Sequence, residues 1–158
     1  MSLVGFRIDD RLLHGQVVEN WIESLRPELV VVASAKAAQD PLIRKLYAAA
    51  MPPGIGLEVA PIAGAAAIAS RATERVLLIV GSPADALALI EAGVRPEAIT
   101  VGGLHHAGGK ERLLDFVYVD ERDREALQRL VALGLKLIAQ DVPRHRPHDL
   151  VPLVLGAR

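Results

Sequence analysis

Short runs of Val, Ile and Leu alternate along the chain with longer segments rich in Ala and Leu. The runs at 3–8, 29–33, 56–60, 75–80, 98–101, 116–119 and 135–139 predict strands. Several show no alternation of apolar and polar positions; Arg75-Val76-Leu77-Leu78-Ile79-Val80 is apolar at every place after the first. A strand of that kind is buried on both faces, as in a parallel sheet covered by helices on either side. The segments at 15–25, 41–51, 62–71, 83–92, 121–133 and 147–153 predict the helices. Asp40-Pro41 and Ser82-Pro83 each read as an N-cap followed by a first-turn proline, and Asp120 as a cap with Glu121 and Asp123 behind it. Gly93 and Gly134 stand where C-terminal glycines end a helix. This βαβαβα order predicts an α/β fold: a doubly wound, mostly parallel open sheet with helices on both faces. In such a sheet ligands bind beyond the carboxyl ends of the strands. That nominates the loops at 9–14, 34–40, 81–82 and 102–110.

Composition narrows the function. The chain has 158 residues, 51% of them apolar, and shows no repeat, linker or low-complexity tract, so a single domain spanning 1–158 is expected. Eighteen basic residues face 19 acidic ones, net −1. That balance argues against nucleic acid as a partner and against a polybasic membrane anchor. Cysteine is absent, which excludes disulfides, thiolate metal sites and Cys nucleophiles. No apolar run reaches the ~18–20 residues of a membrane span, and no signal-peptide pattern opens the chain, so a cytoplasmic protein is expected.

Chemistry concentrates in Arg7-Ile8-Asp9-Asp10-Arg11-Leu12-Leu13-His14-Gly15-Gln16, where two arginines, two aspartates and a histidine lie between the first strand and the first helix. Amides and dipole at a helix start favour an anion. A neutral imidazole nitrogen is a nucleophile toward a phosphoryl group, and Arg11, Arg7 and the amides could meet the charge that builds on its oxygens. The residues alone leave an equal alternative: Arg7 and Arg11 paired with Asp9 and Asp10 in a structural loop, with His14 bonded to a carbonyl.

This decapeptide closely resembles the signature of the enzyme IIB component of the mannose–fructose–sorbose family of sugar phosphotransferase systems. The likeness continues through Ala38, Asp40 and Arg44-Lys45, Pro53-Gly54, Glu91-Ala92-Gly93-Val94, Gly102-Gly103-Leu104 with Gly109-Lys110, and Val142-Pro143. The resemblance implies strands in the order 3-2-1-4-5-6-7, counted along the chain, with the last antiparallel. It implies that His14 accepts a phosphoryl group from a phosphorylated IIA partner, through Nδ1, and gives it to a sugar imported by IIC/IID membrane subunits. Arg11 is then the main phosphate partner and Arg7 assists, with Asp9, Asp10, Gly15 and Gln16 binding or supporting the phosphate. No cofactor or metal is implied. The protein would sit peripherally at the inner face of the membrane through IIC/IID. Homo-oligomerisation stays open, and so does a regulatory phosphohistidine protein of the same type without a sugar-transport role.

Two departures from the family pattern stand out. After the second strand the chain has Ser34-Ala35, without the usual Asp, and the glycine loop carries His105-His106. Ser34, Ser82, Gly102, Gly103, His105 and Lys110 are expected at the edge of the site. Adjacent histidines rarely converge on one ion, so His105 and His106 are expected to be loop residues or partner contacts. Lys110 either screens phosphate or is a solvated charge. With an antiparallel last strand, Arg144, His145, Arg146 and His148 would lie at the end opposite His14. Two rivals fall on sequence: histidine phosphatases need an arginine where Leu13 stands, and no Gly-x-Gly-x-x-Gly or Walker lysine marks a nucleotide site.

Overall fold

A computed structural model describes residues 2–156; Met1, Ala157 and Arg158, which the single-domain expectation includes, lie outside the described residues. The strands are β1 (Ser2–Asp9), β2 (Leu29–Ala33), β3 (Gly56–Ala60), β4 (Arg75–Val80), β5 (Ala98–Gly103), β6 (Glu111–Leu114), β7 (Val117–Val119), β8 (Lys136–Ala139) and β9 (His148–Asp149). The helices are α1 (residues 15–25), α2 (Ala35–Gln39), α3 (Pro41–Ala50), α4 (Ile62–Arg71), α5 (Pro83–Glu91), α6 (Glu121–Ala132) and α7 (Val151–Val154). The middle of α1, Val17–Ile22, is π-helical. The caps form as their sequences predict. Asp40 accepts from the amides of Leu42 and Ile43, Ser82 from Asp85, and Asp120 and Asp123 close a reciprocal capping box on α6. Gly93 and Gly134 take φ of +107° and +87° after α5 and α6, conformations open to glycine at little cost.

Seven strands form one sheet in the order β3-β2-β4-β1-β5-β8-β9, parallel throughout except for β9 on β8. The doubly wound α/β class is as expected, but the strand order is not 3-2-1-4-5-6-7. β4, rather than β1, lies beside β2, and β1 sits between β4 and β5. The residues 116–119 leave the main sheet and pair with the unforeseen β6 in an antiparallel hairpin. The run 135–139 is not antiparallel; β8 runs parallel to β5, and the antiparallel edge strand is the short β9, where a helix over 147–153 was expected. That helix is confined to α7.

The order follows from how the helices cover the two faces. On one face α1 buries Val17, Trp21 and Ile22 against Val30 and Val32 of β2 and Leu77 and Ile79 of β4. α1, on its way from β1 to β2, crosses the intervening place, which β4 fills. On the other face α4, α5, α6 and α7 pack Ala66, Leu89, Leu127 and Val154 over Phe6, Ile8, Leu78 and Ile99. No helix of the described residues is long and apolar enough to cross a membrane.

Candidate active site

β1 emerges at the carboxyl edge of the sheet with Asp9 as its last residue, opposite Gly103 of β5. The Asp9 side chain is wholly buried. Its Oδ1 accepts from the main-chain N–H of Arg11 at 3.0 Å, and its Oδ2 accepts from Nε2 of His14 at 2.9 Å. A carboxylate can only accept, so the bond places a proton on Nε2, and in the neutral ring the lone pair is then on Nδ1. Nδ1 has no hydrogen-bond partner among the described residues, and the ring keeps 15% of its exposure.

The loop geometry that returns His14 to Asp9 is strained. Leu12 donates its N–H to the carbonyl of Asp9 at 2.9 Å and takes a left-handed φ of 56°, which costs a non-glycine residue about 1–3 kcal/mol. Its side chain lies over Gly81, where a Cβ would come within 3.4 Å, and Leu13 is buried in the core under α1. These two apolar anchors hold the turn. Gly15 and Gln16 then open α1, so their amides lie at its positive end. The half-exposed Arg11 guanidinium spans the cluster, with Nη2 donating to Gln16 Oε1 at 3.0 Å and Nε 3.8 Å from Asp9 Oδ1.

Arg7, expected to assist at the phosphate, is buried beneath the loop. It is 2% exposed, with Nη1 and Nη2 donating to the carbonyls of Gln140 (3.0 Å) and Asp141 (2.7 Å). Trp21 of α1 shares the Asp141 carbonyl through its indole N–H at 2.7 Å, and its ring lies 4.6 Å from the guanidinium. Burial pulls the Arg7 pKa down to about 10 against the pull of Asp9 and Asp141, so the group stays charged at neutral pH. Gln140, Asp141 and Trp21 escape the sequence reading. Arg7 meets main-chain carbonyls over 130 positions away, which carry no side-chain signature, and the one available signal is that Trp21 is the chain's single tryptophan.

The other expected residues divide. Asp10 binds the glycine loop: its N–H donates to the Gly103 carbonyl at 3.0 Å, and its carboxylate accepts from the amide (2.7 Å) and Nδ1 (2.5 Å) of His105. His106 turns instead to Tyr118, ring edge to face at 5.2 Å. Lys110 is drawn away to Asp123 at the start of α6, Nζ to Oδ2 3.4 Å. Ser34 and Ser82 stand at the carboxyl ends of β2 and β4, their hydroxyls capping α2 and α5. Gly102 underlies the Arg7 guanidinium, and a Cβ at Gly103 would meet His105 at 3.1 Å and the Asp9 carboxylate at 3.5 Å. Because β8 is parallel, Arg144, His145, Arg146 and His148 follow its carboxyl end; their loop leaves the sheet on the His14 side, not the opposite one. Among the described residues no group of three or more His, Asp or Glu could hold a metal ion.

The profile of the family described as "PTS system sorbose subfamily IIB component" matches residues 2–158. The N-acetylgalactosamine-specific phosphotransferase enzyme IIB component 2 of Escherichia coli K12 is 34% identical over 155 residues, covering 97% of this chain and 99% of the relative. The PTS system mannose-specific EIIAB component of the same strain is 34% identical over 151 residues, 92% of this chain; the chain spans 47% of that relative's length. Among solved structures, the IIBSor domain of the sorbose permease from Klebsiella pneumoniae superposes with a TM-score of 0.92 at 27% identity, covering 100% of this chain and 99% of that one.

Proposed function

The chain belongs to the sorbose subfamily of IIB components of sugar phosphotransferase systems, and from that premise we propose that His14 receives a phosphoryl group on Nδ1 and passes it to an incoming sugar. The observation that carries the reading is the bond from His14 Nε2 to the buried Asp9 carboxylate, which leaves Nδ1 without a hydrogen-bond partner among the described residues. In the first step Nδ1 attacks phosphorus and the bond from phosphorus to the donor's nitrogen breaks; Nε2–H stays with Asp9, whose charge stabilises the ring as it becomes cationic. The donor is a phosphorylated IIA protein or domain. In the second step a sugar hydroxyl attacks phosphorus, the P–N bond breaks, and the hydroxyl proton leaves to solvent or a base on the sugar's side.

Arg11 meets the charge spread over the phosphoryl oxygens, helped by the amides of Gly15 and Gln16 at the positive end of α1. Gln16 holds the Arg11 fork. Asp10 acts further out, by tying the 103–105 segment to the site. The sugar reaches the protein through IIC/IID membrane subunits, to which the chain docks at the inner membrane face. Incubation with phosphorylated IIA tests the acceptor: the wild type takes up one phosphoryl group and His14→Ala takes up none. Undiminished uptake by His14→Ala removes the assignment.

A further inference from the structure

Arg7 stands in the site's signature segment, yet its guanidinium is buried. Two main-chain carbonyls at the root of the 140–146 loop take its Nη groups, and the Trp21 indole shares one of those carbonyls. Its Nε, buried and without a hydrogen-bond partner, lies 3.8 Å from Asp9 Oδ2, the same oxygen that receives His14 Nε2. The strand below is shaped around this group. Gly102 has no left-handed φ, so its backbone would suit any residue, but a Cβ there would overlap the Arg7 guanidinium. Gly102 is therefore glycine for space. The charged and titratable groups around Asp9 are the Arg7 guanidinium within β1, the Arg11 guanidinium (Nε 3.8 Å from Oδ1) and the His14 imidazole from the loop.

We infer that Arg7 is a positioning residue, not a phosphate ligand: it holds Asp9 as the acceptor that fixes the Nε2–H tautomer of His14, and it roots the 140–146 loop against the site. The guanidinium beside Oδ2 holds that oxygen in place as the acceptor for Nε2–H, and Asp9 in turn keeps the nucleophilic lone pair on Nδ1. The catalytic consequence rests on His14 being the phosphoryl acceptor; the tautomer and loop consequences do not.

Two variants of the full chain separate the roles. Gly102→Ala pushes the guanidinium aside while retaining its charge, and Arg7→Met removes it. Long-range proton–nitrogen correlation at pH about 8.5, where imidazole is neutral, reads the His14 tautomer. The wild type should show a single Nε2–H species; both variants should show mixed tautomers, with displaced Trp21 indole and 141–145 amide resonances. Phosphoryl uptake should lose about tenfold or more in kcat with the KM for phosphorylated IIA within about twofold. A pure Nε2–H tautomer in both variants overturns the inference. So does a raised KM with unchanged kcat, the mark of a binding role, and so does an unmoved Trp21 indole in Gly102→Ala. If both variants unfold, Arg7 serves stability alone and the inference also fails. Labelling of His14→Ala would instead remove the acceptor assignment while leaving the tautomer result standing.

Discussion

Replacing Asp9 by Asn changes one heavy atom at the centre of the site, and its effect can be worked from four contacts. Oδ1 receives the Arg11 amide at 3.0 Å, Oδ2 receives His14 Nε2 at 2.9 Å, and the Arg7 and Arg11 guanidinium nitrogens lie 3.8 Å away. Asn offers one acceptor and one amino group. If the amino group turned to the Arg11 N–H, two donors would face each other in a fully buried place, at a cost of about 1–3 kcal/mol. The better choice keeps the carbonyl on Arg11 and turns the amino group to His14. Nε2 must then accept, and the proton moves to Nδ1, the atom that should attack phosphorus. A tautomer reversed in this way behind a catalytic imidazole lowers turnover about 10⁴-fold, near 5.5 kcal/mol of barrier. The lost carboxylate also leaves Arg7 buried beside a neutral group, which should cost about 3–5 kcal/mol of stability. Rapid-quench measurement of phosphoryl transfer from IIA, well below the variant's unfolding transition, isolates the first effect. A rate within about tenfold of wild type would refute the tautomer argument.

Arg11→Ala should slow transfer about 10²–10³-fold, roughly 3–4 kcal/mol, with the thermal transition unchanged because the side chain is half exposed; Arg11→Lys should recover only part of the rate, since an ammonium cannot grip two oxygens as a fork. Asp10→Ala removes both bonds to His105, so hydrogen exchange of the 103–109 amides should speed up while His14 remains bonded to Asp9. Ser82→Ala should cost about 1 kcal/mol of stability through the lost α5 cap, measured by denaturant unfolding, and leave phosphoryl transfer unchanged. Titration with inorganic phosphate should move the amide resonances of Gly15 and Gln16 and fail to do so in Arg11→Ala; shifts centred on Arg144 and Arg146 would relocate the anion site to the neighbouring loop.

Local signals in the chain set the elements, and they were readable. The Asp40, Ser82 and Asp120 caps and the glycines at 93 and 134 bound their helices where the side chains and φ angles require. Strand order is a different matter. β1 from Phe6 on and β4 from Val76 on are buried on both faces, so neither pattern says which of them lies beside β2; packing of α1 across Leu77 and Ile79 decides it. The direction of β8 is likewise absent from its four residues, and with it the side of the sheet on which the 144–148 loop emerges. At the site, the span from Arg7 to Gln16 was visible because its polar residues are local to one turn. The Arg7 fork on the 140 and 141 carbonyls was not, because carbonyls are common to all residues and the contact forms only on folding. Lys110 stayed open in the sequence between screening phosphate and standing solvated for the same reason: its partner Asp123 is 13 positions on, in the first turn of α6.

The proposed transfer turns on which atom carries the phosphoryl group. The most direct measurement is phosphorus–nitrogen coupling in the histidine-¹⁵N-labelled full chain after phosphorylation by IIA, with peptide mapping of the labelled residue. The predicted result is one phosphoryl group per chain, bonded to Nδ1 of His14, with Nε2 still protonated and hydrogen-bonded to Asp9. A phosphoryl group on Nε2 of His14, or on His105, His106 or any other residue, would contradict it.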